Sequence, residues 1–152
     1  MSMQSEFLDK VVLVTGGAKG VGRGISEAFL AAGAKVVVCG RSEPESLPAV
    51  GDNQAGFIAA DVRDLEQVEA LFAQIIERYG RLDVLVNNAG GAPFCLAADA
   101  SPRLHERIIN LNLISPLLLA QKANALMQQR GGGVIVFIAS VSAARPSPGT
   151  AP

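Results

Sequence analysis

Five short apolar runs punctuate the chain: Val11–Val14, Lys35–Cys39, Gly56–Ala60, Leu82–Val86 and Val134–Ala139. In Val11–Val14 and Val134–Ala139 every residue is apolar, the pattern of a strand covered on both faces. Between the five runs the period changes to that of a helix. Val21, Ile25, Ala28 and Phe29 share one helical face, and Gly33 closes that segment. Val68, Leu71, Phe72, Ile75, Ile76 and Tyr79 share another, opened by Asp64 with Gln67 in a capping-box spacing and closed by Gly80. Ser101–Pro102 reads as an N-cap with proline in the first turn, starting a long helical stretch toward Gln129 that Gly131–Gly133 ends. Pro44, Pro48, Gly51 and Asp52 make residues 43–54 mostly loop, with at most a short helical turn.

Strand–helix alternation predicts an α/β fold: a doubly wound parallel sheet in a three-layer α/β/α sandwich, one domain over residues 1–152. Ligands of such sheets bind beyond the carboxyl ends of the strands. The stretches to inspect are therefore Thr15–Gly22, Gly40–Arg41, Asp61–Val62, Asn87–Gly90 and Ser140–Ser142.

The first of these reads T-G-G-A-K-G-V-G, a strand breaking into glycines that open a helix. Free backbone N–H groups and the positive end of the helix dipole would face any guest over the turn, and a phosphate suits both. Gly16 permits the tight turn, and Gly20 and Gly22 let a diphosphate and the helix come close. The spacing T-G-x-x-x-G-x-G is neither G-x-G-x-x-G nor G-x-x-x-x-G-K-[ST], and by itself it is also compatible with a plain turn.

Composition narrows the partners. The net charge is −1, so neither a nucleic acid nor a membrane surface is expected. No apolar run is long enough to span a bilayer, and the first residues lack the features of a signal peptide. Cys39 and Cys95 have no metal or redox spacing; Cys39 reads as a buried small apolar residue, and no metal site is expected. A cytoplasmic protein follows as the expectation.

Taken in order, T-G-G-A-K-G-V-G at Thr15–Gly22, D-V at Asp61–Val62, N-N-A-G at Asn87–Gly90, Asn112 in N-L-N-L and Ser140 in F-I-A-S-V-S resemble the short-chain dehydrogenase/reductase family. The resemblance runs from about Leu8 to the last residue. It implies a Rossmann-like nucleotide-binding fold and an oxidoreductase that moves a hydride between a nicotinamide dinucleotide and a small or hydrophobic alcohol or ketone. It implies that Gly16, Gly20 and Gly22 hold the diphosphate, with Val21 against the nicotinamide half. Asp61 would accept from the adenine amino group with Val62 beside the ring, and Asn88, Ala89 and Gly90 would line the ribose side. A homodimer or homotetramer through the helix near Ser101–Gln129 is also implied.

At the end of the second strand a carboxylate would select NAD and an arginine NADP. Gly40 and Arg41 stand there, with no acid before Glu43 and with Lys19 in the glycine loop, so NADP is expected over NAD. The family's catalytic set is a tyrosine, a lysine four residues later, a serine and an asparagine. Ser140 and Asn112 match the last two, with Ser142 as fallback. No Y-x-x-x-K occurs in these residues, and Tyr79 reads as core. Pro116 lacks an N–H to bond the carbonyl of Asn112, so either the helix runs through and kinks, freeing that carbonyl for a water, or a second helix starts at Pro116. Ala92, Pro93, Phe94 and Leu96 suggest an apolar substrate wall, and His105 reads as exposed. Val134–Ala139, apolar on both faces, would be a sticky edge if it were the last strand. The expectation is a polypeptide that continues past Pro152; the alternative is a catalytically silent dinucleotide-binding protein. A flavodoxin-like phosphate or flavin binder is the weaker third reading.

Overall fold

The computed structural model describes residues 6–96 and 98–141. Strand β1 (Val11–Thr15) leads through the glycine turn into helix α1 (Gly20–Ala31) and returns to β2 (Lys35–Gly40). The chain continues through β3 (Ala49–Val50), β4 (Asn53–Gln54), β5 (Gly56–Ala59), α2 (Leu65–Tyr79) and β6 (Val84–Asn87). Helix α3 (Pro102–Ile109), a π-helical turn (Asn110–Ile114), helix α4 (Ser115–Gln128) and β7 (Val134–Phe137) complete it. The main sheet has the order β5-β2-β1-β6-β7 with every pair parallel. The chain winds outward from β1 to β5, then crosses back to β6. The loops after β1 and β6 therefore part company, and a crevice opens at their carboxyl ends.

Successive β1 side chains enter opposite layers, as the pleat requires. Val11 and Leu13 pack with Leu71, Ile75, Leu119, Ala123 and Met127 under α2 and α4. Val12 and Val14 pack with Leu30, Val36, Val38 and Val86 under α1. All four are essentially inaccessible, and each fully buried Val or Leu contributes about 1.5–3 kcal/mol. Cys39 is buried as expected, and burial pushes its thiol up to about 12. Tyr79 is half-buried against the same core.

Asp64 caps α2 by accepting from the amides of Glu66 and Gln67, and Gly80 ends the helix at φ +71°. The Gln67 amide departs from a strict capping box: it donates to the Asp64 carboxylate at 2.8 Å, while its oxygen accepts from the Asp61 N–H at 2.9 Å.

Four expectations need correction. First, residues 49–54 hold a tight antiparallel hairpin, Ala49 opposite Gln54 and Val50 opposite Asn53. Its strands are too short to show a periodicity. Second, α1 buries Gly22, Ser26 and Leu30, while Val21 and Ala28 are exposed. Small residues set that face: the Ser26 hydroxyl bonds the carbonyls of Gly17 (3.0 Å) and Gly22 (2.9 Å), and the helix presses down onto the turn. Third, His105 is half-buried. Fourth, the long helix neither stops at Pro116 nor simply loses one bond. It widens into the π turn, where the Ser115 amide reaches the carbonyl of Asn110 five residues back. Among the described residues β7 forms one edge of the sheet, with Val134 and Phe137 half exposed.

Candidate functional site

Thr15, the last residue of β1, ties the crevice together. Its buried hydroxyl accepts from the amides of Asn88 and Ala89, both at 3.0 Å, and donates to the Val86 carbonyl at 3.4 Å. The Asn88 side chain returns the tie by donating to the carbonyls of Thr15 (3.0 Å) and Gly16 (3.3 Å). The turn after β1 and the N-N-A-G loop after β6 are thus one hydrogen-bonded unit. Gly22 packs against it so closely that a Cβ there would collide with the Asn88 amide nitrogen and the Gly16 carbonyl.

Above that unit lies open space. Gly20 has φ +51°, and a Cβ there would meet nothing within 4 Å. Helix α1 starts beside it with Lys19 in extended conformation as N-cap, no side-chain cap and no acid in its first turn. Its leading N–H groups are left without a side-chain acceptor, which is what an anionic guest needs. A diphosphate therefore fits the residues present.

A cavity of about 560 Å³ continues from the glycine turn across the ends of β2 and β5. Gly16, Lys19, Arg41, Asp61, Val62, Ala89 and Gly90 all line it, so seven of the predicted site residues meet in one place. Val62 is itself 7% exposed and belongs mainly to the core. Gly22 and Asn88 stand behind this wall as braces, and Val21 is exposed at the start of α1.

The electrostatics are uneven. The Arg63 guanidinium forks onto Asp61, Nε to Oδ1 at 2.9 Å and Nη2 to Oδ2 at 2.6 Å, and holds its carboxyl below the usual carboxylate range. Lys19, Arg41 and Arg107 also line the cavity and, among the described residues, have no ion-pair partner. Glu43 is the one other acid in the lining besides Asp61. The cavity end near Arg41 is therefore cationic.

Asn112 sits in the π turn and faces the N-N-A-G loop. Its oxygen accepts from the Gly91 amide at 2.8 Å, and its nitrogen donates to the carbonyls of Gly91 (3.0 Å) and Ile108 (2.9 Å). A Cβ on Gly90 would come within 2.8 Å of that oxygen. Its side chain is thus engaged with this loop. Ser140 follows β7 and is exposed at the carboxyl end of the sheet. Ala92, Pro93, Phe94 and Leu96 are exposed beyond the same loop, and Ser142 lies outside the described residues.

Sequence reasoning missed Thr15 as the clasp, and Phe57, Arg63, Arg107 and Leu111 as lining. Arg63 could have been suspected, two residues from an acid at a strand end. Arg107 could not: its approach depends on where α3 is set against the sheet.

The chain matches the family model described as short chain dehydrogenase over residues 10–152. It is 36% identical over 146 residues to an L-fucose dehydrogenase of Bos taurus, covering 94% of this chain and 54% of that protein. It is 35% identical over 148 residues to an L-rhamnose 1-dehydrogenase (NAD(P)(+)) of Azotobacter vinelandii, covering 90% and 57%. A solved short chain dehydrogenase of Bacillus anthracis superposes with a TM-score of 0.86 at 31% identity, covering 97% of this chain and 62% of that one. The chain therefore spans about half the length of the curated relatives it matches. With a parallel five-stranded sheet, this glycine turn and the N-N-A-G clasp in register, the chain belongs to the short-chain dehydrogenase family.

Proposed function

We propose that this chain is the nucleotide-binding domain of an oxidoreductase that interconverts an alcohol and a ketone or aldehyde, with NADP preferred over NAD. The observation that carries it is the uncapped start of α1 over the open glycine turn, continuous with a cavity lined by Lys19 at that turn and by Arg41 beyond β2, neither with an ion-pair partner among the described residues. Gly16, Gly20 and Gly22 with the first amides of α1 would hold the diphosphate. Val21 would lie toward the nicotinamide, and Asp61 and Val62 toward the adenine. Asn88, Ala89 and Gly90 would border the ribose. The dinucleotide, when bound, supplies or accepts the hydride. Ser140 would hydrogen-bond the substrate oxygen, and Asn112 would fix Gly91 and support a proton path.

Carbonyl reduction also needs an acid for the developing alkoxide. These 152 residues contain no Y-x-x-x-K, so this chain carries the cofactor site and half of a catalytic set. For substrate, relatives named for sugar oxidation suggest a small hydroxylated molecule, and exposed Ala92, Pro93 and Phe94 suggest an apolar contact on one side, with Ser142 as a further candidate. Exposed Ile109, Leu113 and Leu117 on the α3–α4 stretch suit a homodimer or homotetramer.

The test is fluorescence titration of NADPH against NADH. NADPH should bind at least about tenfold more tightly, the effect of one charge-assisted contact of about 1.4 kcal/mol. Arg41→Ala should abolish most of that preference. Equal affinities, unchanged by Arg41→Ala, would remove the case for NADP.

A further inference from the structure

The Asp61–Arg63 fork in the cavity wall is asymmetric. An ionised carboxylate offers about four acceptor sites, two per oxygen. Oδ1 accepts twice, from the Arg63 backbone N–H at 3.0 Å and from Nε at 2.9 Å. Oδ2 accepts once, from Nη2 at 2.6 Å. One acceptor site remains, on Oδ2. Both side chains are about one-quarter exposed, and both residues line the cavity. The clamp is local: Asp61 and Arg63 are two residues apart, between the end of β5 and the cap of α2. The segment itself is fixed by the Asp61 N–H to Gln67 bond and the Asp64 N–H to Asp61 carbonyl bond at 3.0 Å. The carboxylate can neither rotate freely nor offer a second site.

We propose that Arg63 is a positioning residue for base selection: by taking three of the four acceptor sites of Asp61, it leaves a single aimed acceptor that suits the amino group of adenine and refuses a base with a carbonyl there. This rests on the dinucleotide reading above and deepens it. An exocyclic amino group donates to the remaining site. A 6-oxo base such as hypoxanthine presents an acceptor, and two acceptors face to face repel, leaving both without a hydrogen. Without Arg63 the carboxylate gains rotational freedom and more open sites, so water or the ring N–H of a 6-oxo base can be accommodated. Selectivity should fall more than affinity for the nucleotide as a whole.

The experiment compares reduced nicotinamide adenine dinucleotide phosphate with its hypoxanthine analogue on the wild-type protein, Arg63→Ala and Arg63→Lys. Reduced nicotinamide mononucleotide, which has no purine, serves as the control ligand. Wild type should prefer adenine by at least about tenfold, since leaving a hydrogen-bonding group unpaired costs at least one charge-assisted bond. Arg63→Ala should lower that ratio at least about fivefold while leaving mononucleotide binding unchanged. Arg63→Lys keeps the charge but not the fork and should fall between.

A pH series gives a second readout. Arg41 and Asp64 also act on this carboxylate's surroundings, and both stay in place in the variants. Adenine preference should hold in wild type as pH falls toward the ordinary aspartate range and be lost earlier in Arg63→Ala. A ratio unmoved in both variants overturns the proposal, as does tighter adenine binding in Arg63→Ala, which would make Arg63 a competitor for Asp61. If Arg63→Ala does not fold, the ratio in Arg63→Lys decides. Wild type that binds no nicotinamide nucleotide defeats the broader reading and this one with it; wild type that binds both bases equally defeats this one alone.

Discussion

Gly20 and Gly22 stand two residues apart and do different work. Gly22 is a packing position, because a Cβ there would run into the Asn88 amide and the Gly16 carbonyl, both held by the clasp. Gly22→Ala must push α1 away from the N-N-A-G loop, and overpacking of this kind costs about 1–3 kcal/mol. Gly20 has open space around it but a left-handed φ of +51°. Gly20→Ala should cost about 1–2 kcal/mol of backbone strain, yet its methyl group would project where a diphosphate is expected. Thermal unfolding and NADPH titration, read side by side, separate the two. Gly20→Ala should lose binding beyond its modest loss of stability. A Gly20→Ala protein that binds normally would move the guest away from this turn. The glycine spacing was legible in the sequence, but the difference in role was not, since it depends on Asn88 arriving from 66 or more residues away.

Between elements, Asp83 is a join the strand pattern does not reveal. It precedes β6, yet its Oδ2 accepts from the Val11 amide at 2.9 Å, while Oδ1 holds Arg81 at 2.5 Å and faces Lys10 at 3.8 Å. Burial pushes this carboxyl up, but the Arg81 hydrogen bond and the Val11 amide outweigh it and the net direction is down. A lowered carboxyl stabilises the fold above its unfolded value and loses that contribution as pH falls through its folded value. Asp83→Asn should therefore cost about 1–3 kcal/mol at neutral pH and show a flatter decline on acidification. Urea unfolding from neutral to acidic pH checks this; parallel curves for the two proteins would show that Asp83 does not report on folding. The same scale explains the missed hairpin at residues 49–54. Two-residue strands carry no period, and this pair is held by its turn and by Leu47 and Val50 packing toward α1.

For the whole molecule, β7 stands out. It pairs with β6 on one side, while Val134, Val136 and Phe137 remain exposed among the described residues. An apolar, unpaired edge templates association with another strand. The 152-residue chain should self-associate with rising concentration, and Val136→Lys should reduce light scattering at equal concentration while changing stability by less than about 1 kcal/mol. Scattering unchanged by the lysine would place the association elsewhere, with the exposed Ile109–Leu117 surface of α3 and α4 next to test.

The amino-acid sequence by itself determined the alternation of buried strands and amphipathic helices, the glycine turn, and the loops that would gather at one end of the sheet. These are encoded locally, in the period of apolar positions and in residues suited to turns and caps. The tertiary structure alone decided which charges are paired: Arg63 spent on Asp61, Arg41 and Lys19 without an ion-pair partner among the described residues, Arg107 brought to the same cavity by α3. It also decided that α1 buries its small residues rather than Val21, and that the chain accommodates Pro116 by widening a helical turn. Such outcomes depend on strand order and on the distances between loops far apart in the chain, and no local period records either.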